Sequence, residues 1–234
     1  VRAGPQAPGA GGPRRSRWLG WFLARVVWRT TVIGADRVPR TGQVLLAANH
    51  LGLVDGPVVH GCAPRPTHLL VKHEMFRGPV GWLLRSAGQI PVDRENGRPA
   101  LSAALGVLRR GGAVGIFPEG ERGRGDAATA RAGVAWLAVT SGAPVVPVAV
   151  LGTRRTGEPV GRVPGVRRRL VVAFGEPVTL TGGGPVRGRA AVQRANEQLR
   201  TVLAAHVAAT SAATGVALPT DAPFQDPPFQ DAPA

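Results

Sequence analysis

The sequence predicts an α/β domain: one mostly parallel, twisted sheet flanked by helices. Three observations predict it. Short apolar runs with β-branched residues alternate with segments of helical spacing from 43 to 174, the pattern of strands joined by crossover helices. The 234 residues suit one domain with tails. A hydrophobic content of 44% supplies a sizeable core, and 33 glycines with 22 prolines supply turns without reaching a disordered composition.

Taken in order, residues 1–13 are rich in Gly, Pro and Ala and are expected to be disordered. Residues 14–30, "RRSRWLGWFLARVVWRT", read as a basic, Trp-rich amphipathic helix. Arg25 and Arg29 share one face, while Leu19, Leu23, Val26 and Val27 lie on another. Trp18, Trp21 and Trp28 suit a lipid interface. Two readings stand together: a helix lying on an anionic membrane surface, and a terminal helix docked on its own domain. No apolar run reaches the ~18 residues of a spanning helix, and Arg25 interrupts the longest candidate. No small-residue cleavage site follows, so a signal peptide is not expected.

One folded domain is expected over 31–210. Its strands are "QVLLAA" (43–48), "THLLVK" (67–72), "AVGIF" (113–117), "PVVPVAVL" (144–151) and "RLVVAF" (169–174). Between them "GPVVHGC" (56–62), "PVGWLLRSAG" (79–88), "PALSAALGVLRRG" (99–111) and "ATARAGVAWLAVTSG" (128–142) read as helices. The last two end in glycine, a common helix stop. A further helix is expected near 187–208. Residues 211–234 read as a disordered, Pro-rich tail.

The chemistry starts at "AANHLGLVDG" (47–56). His50 and Asp55 are five positions apart, poor same-face spacing on a helix and opposite faces on a strand. They meet only if the chain turns between them, and Gly52 eases such a turn. A carboxylate on one imidazole nitrogen fixes the tautomer and leaves the other nitrogen as a base. The alternative is a helix-capping aspartate beside an incidental histidine. No G-x-S-x-G nucleophile elbow is present, so the hydroxyl to be activated would belong to the substrate. "GQIPVDREN" (88–96) places Arg94 after an edge or loop segment. "GIFPEGERGRG" (115–125) leaves a buried strand for a loop of glycines and arginines. Glycines allow close backbone approach, and arginines offer forked donors to phosphate.

In this order the blocks resemble those of the glycerolipid acyltransferase family, whose best-known members acylate lysophosphatidic acid. "NHLGLVD" resembles the N-H-x-x-x-x-D block. "KHEMFRGPVGWLLRSAGQIPVDR" resembles the second, with Lys72, Glu74, Gly88, Ile90 and Arg94 at matching places. "FPEGERGR" is similar to F-P-E-G-T-R-S, and "APVVPVAV" to the fourth block, carrying Pro147. The resemblance covers about residues 40 to 155. It implies His50 as general base, Asp55 as its orienting partner, and Arg94, Glu119, Gly120 and Arg122 as the acceptor site, with Lys72 a further phosphate contact. Pro147 would shape the acyl-donor side. It further implies a lysophospholipid acceptor, an acyl-CoA or acyl carrier protein donor as co-substrate, no resident cofactor or metal, and a place on the cytoplasmic face of the cell membrane. Glu121 stands where threonine is usual and Gly123 where serine is common, which leaves the acceptor headgroup open.

The formal net charge of +15 favours an anionic partner. Tyrosine is absent and no nucleic-acid motif appears, so the expected partner is lipid rather than nucleic acid. A rival reading is a non-enzymatic protein that binds anionic membranes. Cys62 stands alone, which excludes a disulfide framework or thiolate zinc site and leaves a buried structural thiol. No histidine pair has zinc-site spacing. His60, His68, His73 and His206 are expected in structural or surface roles.

Overall fold

A computed structural model describes residues 7–93, 96–120, 122, 124–127, 131–180 and 188–221. It contains one seven-stranded sheet built from β1 (Arg29–Ile33), β2 (Val44–Ala48), β3 (Thr67–Lys72), β4 (Ile90–Val92), β5 (Ala113–Ile116), β6 (Val145–Leu151) and β7 (Arg169–Phe174). The strand order is β1-β7-β6-β2-β5-β3-β4. Every neighbouring pair is parallel except β6–β7. Parallel neighbours need long crossovers. These are supplied by α2 (Asp55–Cys62), α3 (Gly78–Ser86), α4 (Arg98–Arg109) and α5 (Gly133–Ser141). A helix α1 (Gly11–Phe22) precedes the sheet, and α6 (Arg189–Thr214) follows it.

Helices cover both faces, so β2 and β6 are buried along their whole length and read as continuous apolar runs. Strand alternation sorts the core. Leu45 and Ala47 face a cluster with α4, α5 and Leu199 of α6. Val44, Leu46 and Ala48 face Val58 and Val59 of α2, Ala24 and Trp28. Gly142 ends α5 at φ 70°, a backbone conformation that glycine adopts without a Cβ penalty.

The structure moves several boundaries. The N-terminal helix begins at Gly11, inside the segment expected to be disordered, and Pro13 is buried. It ends in a π-turn over Leu23–Val27, and Arg29 and Thr30 belong to β1. "RTTVI" carries β-branched residues but joins the Trp-rich run without a turn residue, which hides the strand. The fourth crossover helix, α5, starts at Gly133 rather than 128. Helix α6 runs to Thr214 because Leu199, Leu203, Val207 and Thr210 keep one stripe buried. Past it, Asp221 pairs with buried Arg154 at 2.7 Å, so packing extends into the expected tail.

The N-terminal helix is docked on its own domain. A Cβ at Gly61 of α2 would lie 2.0 Å from the Gly20 carbonyl carbon, so both positions must lack a side chain for the two backbones to touch. Arg17 Nε donates to Ala63 O at 2.8 Å, and Ser16 Oγ lies 2.9 Å from His60 Nε2. The opposite side of α1 leaves Trp18, Trp21 and Phe22 exposed. No helix among the described residues is long and apolar enough to cross a membrane.

Candidate active site

Because β2, β5, β3, β4 and β6 run the same way, their carboxyl ends share one edge. The first block turns off the end of β2 and the third off the end of β5, so residues far apart in the chain, His50 and Asp55 with Glu119 and Gly120, gather there. Strand β2 sits between β5 and β6, with its connection leading away to β3. In open α/β sheets such a switch point is where ligands bind.

Past β2 the chain turns at once. The Asp55 carboxylate, fully buried at the start of α2, reaches back over the turn. Its Oδ2 accepts from Leu51 N–H at 2.6 Å and Gly52 N–H at 2.9 Å, and lies 2.8 Å from His50 Nδ1. The aspartate does cap backbone N–H groups, but those of the turn before its helix. An ionised carboxylate can only accept, so Nδ1 is the donor of this pair and Nε2 is left for another partner. The His50 ring stacks on Phe117, centroids 4.3 Å apart and planes at 24°. Asp55 and Phe117 together fix the tilt of the ring.

Asn49 locks the strand end. Its side chain accepts from Val150 N–H at 2.7 Å and donates to the Val150 and Gly125 carbonyls, each at 3.1 Å. The loop after β5 closes on the same point. Glu119 Oε1 accepts the main-chain N–H of His50 at 3.1 Å. Burial pushes the Glu119 carboxyl up to about 7; Asp126 and Asp55 add to this, against the opposing N–H groups of His50 and Ala127. Gly120 adopts φ 72° to bend the loop, and its N–H donates to Phe117 O at 3.1 Å. A Cβ there would lie 2.4 Å from Arg131 Nε.

His50, Asp55, Glu119 and Gly120 therefore converge. Arg122 is half-buried in the same loop. Arg94, Glu121 and Gly123 lie outside the described residues. Lys72 ends β3 and pairs with Glu74 at 3.0 Å on the surface. Pro147 is not brought to the dyad: it is buried inside β6 opposite Ala47. Its carbonyl accepts from Gly175 N–H at 2.8 Å, so its contacts are those of a sheet residue. His60 and His68 are buried and bonded to Thr67 O and Gly88 O. Cys62 is a buried free thiol that burial pushes up to about 12. No cluster of metal-binding side chains occurs among the described residues.

Sequence reasoning missed Phe117 as the ring's stacking partner and Arg131 as the cation against Gly120. Phe117 adjoins the block and could have been found there; Arg131 carries no local signal.

A family model described as Acyltransferase matches residues 29–151. The chain belongs to the acyltransferase family. Its match starts at β1 and ends with β6, so it takes in every residue of the site just described. A 1-acyl-sn-glycerol-3-phosphate acyltransferase of Borreliella burgdorferi is 33% identical over 127 residues, 52% of this chain and 51% of that protein. One from Bacillus subtilis is 33% identical over 124 residues, 52% of this chain and 62% of that protein. A lyso-ornithine lipid O-acyltransferase of Pseudomonas aeruginosa is 34% identical over 161 residues, 65% of this chain and 60% of that protein. This acyltransferase-family chain thus spans between about half and three fifths of the length of these curated relatives. The crystal structure of the 1-acyl-sn-glycerophosphate acyltransferase PlsC from Thermotoga maritima shares its fold, with TM-score 0.67, 23% identity, and 86% of this chain and 80% of that one covered.

Proposed function

We propose that this protein transfers a fatty acyl group from a thioester donor to the free hydroxyl of a lysophospholipid, with lysophosphatidic acid as the first candidate acceptor. The observation that carries the proposal is the 2.8 Å contact of His50 Nδ1 with Asp55 Oδ2 in a chain of this family. His50 Nε2 takes the hydroxyl proton as the substrate oxygen bonds to the thioester carbonyl carbon. The tetrahedral intermediate expels the thiolate as the C–S bond breaks. The imidazolium then returns its proton to sulfur. No acyl-enzyme is required, and the scheme calls on no resident cofactor. A positioned base supplies about 10²–10⁴-fold, and orientation of the two substrates supplies much of the rest.

The phosphate of the acceptor suits the arginine-bearing loop of Glu119, Gly120 and Arg122, with Arg131 beside it and Arg94 from the segment after β4. The resemblance to a lyso-ornithine lipid acyltransferase supports a second reading, a lysolipid with a different headgroup, and the Glu121 and Gly123 substitutions favour testing it. The acceptor is a lipid, so the protein must reach a bilayer. The outer side of α1, with Trp18 72% exposed and Arg14, Arg15 and Arg25 nearby, suits the interface of an anionic membrane on its cytoplasmic face.

Initial rates with a panel of lysolipids, each offered acyl-CoA and acyl-acyl carrier protein, test the proposal. Transfer to lysophosphatidic acid is the expected result. Transfer to no lysolipid with either donor would reject the activity.

A further inference from the structure

The antiparallel turn between β6 and β7 brings a second exposed apolar element to the edge that holds the dyad. Strand β6 ends at that edge. Strand β7 runs back from it, and β1, parallel to β7, also starts there. The π-turn that ends α1 and the 152–168 loop therefore meet beside the site. Trp28 Nε1 donates to Pro164 O at 3.0 Å, and Arg167 N–H to Val27 O at 2.7 Å.

In "RVPGVR" (162–167) Pro164 is buried against Trp28, while its flanking valines point outward: Val163 is 58% exposed and Val166 76%. The exposed charged side chains of the 152–168 loop are Arg155, Arg162 and Arg167. The acidic group within the loop, Glu158, is drawn inward, with Arg168 at 2.9 Å and Arg162 at 3.7 Å. Two outward valines among arginines match a surface that is anionic outside and apolar just beneath. On α1 and the π-turn, Trp18, Phe22 and Val26 recur every four residues and are all exposed. This stripe ends one residue from the Val27 carbonyl that holds the loop. The same loop grips the catalytic turn: Leu53 N–H donates to Val160 O at 3.1 Å.

We infer that the 159–167 loop is a second membrane-contacting element, inserting Val163 and Val166 into an anionic bilayer beside the N-terminal helix and holding the His50–Asp55 turn at the lipid surface. The inference rests on the membrane reading of the N-terminal helix given above. Two contacts joined through one rigid edge fix the tilt of the domain, which a single helix lying in the interface leaves free. A lysolipid hydroxyl can then reach the imidazole without leaving the bilayer.

The test uses the full chain and phosphatidylglycerol–phosphatidylcholine vesicles. Cys62 is buried, so Val166→Cys can be labelled selectively with a bimane fluorophore. Lipid-borne nitroxide should quench that label and leave one at Ala208→Cys, on α6 across the sheet, unquenched. Val163→Asp/Val166→Asp should lower vesicle binding about fivefold or more with its melting temperature unchanged. An unquenched label at 166, with the double aspartate variant binding as wild type while Trp18→Ser/Phe22→Ser loses binding, overturns the loop's role and leaves the helix reading standing. Failure of the unmodified protein to bind these vesicles overturns both.

Discussion

Glu119 Oε1 accepts the main-chain N–H of His50 at 3.1 Å, so the loop after β5 holds His50 by its backbone while Asp55 holds it by its ring. The carboxyl is pushed up to about 7, first by burial. The folded protein keeps this proton up to about pH 7, whereas the unfolded chain releases it near its ordinary value of 4.5. Stability therefore falls as pH rises through that window. Glu119→Gln should remove the dependence. Denaturant unfolding should show the variant gaining on the wild type between about pH 4.5 and 7, by on the order of 2 kcal/mol. Parallel curves would contradict the assignment.

His50→Ala should lower kcat by at least about 10²-fold while the protein still folds, since Asp55 Oδ2 keeps the Leu51 and Gly52 N–H groups as partners. Asp55→Asn should lower kcat as well, because an amide can donate to Nδ1 and select the wrong tautomer. Initial rates on folded protein decide this. A His50→Ala enzyme within threefold of wild type would remove His50 from the mechanism.

Gly61→Ala should loosen the N-terminal helix. The new methyl would fall 2.0 Å from the Gly20 carbonyl carbon, and backbone must move to admit it. Overpacking of this kind costs about 1–3 kcal/mol. Limited proteolysis should then cut near residues 23–30 faster than in wild type, while the sheet stays resistant. An unchanged digestion pattern would mean that α1 is held by its other contacts.

His60 is neutral between the Ser16 hydroxyl and Thr67 O. Burial lowers its pKa from 6.5 to about 4, helped by the Arg17 and His68 charges and opposed by the Thr67 carbonyl. The unfolded chain takes up a proton that the folded chain refuses, so this stabilisation is complete above 6.5 and is lost as pH falls toward about 4. Against His60→Gln, wild type should lose melting temperature on acidification over that range, opposite in sign to the Glu119 effect. Equal losses in both proteins would place the titration elsewhere.

Local chemistry made much of this protein readable from its sequence. Apolar runs at 43–48, 113–117 and 144–151, separated by helical spacing, determine buried parallel strands, because a sheet covered on both faces needs them. Gly142 marks a helix end by its backbone freedom. The spacing of His50 and Asp55 requires a turn between them, and Gly52 permits it. Family blocks placed Glu119 and Gly120 beside that pair. Only tertiary structure decided what depends on approach between distant segments. β1 is a strand because β7 offers it a parallel partner, which the run "RTTVI" does not announce. Pro147 sits in the sheet interior because β2 and β7 flank its strand. The N-terminal helix reads as interfacial by its tryptophans, yet Gly20 against Gly61 docks it on the domain. Periodicity shows that a residue is covered, but not by what: contact is a property of two stretches of chain, and local propensity belongs to one.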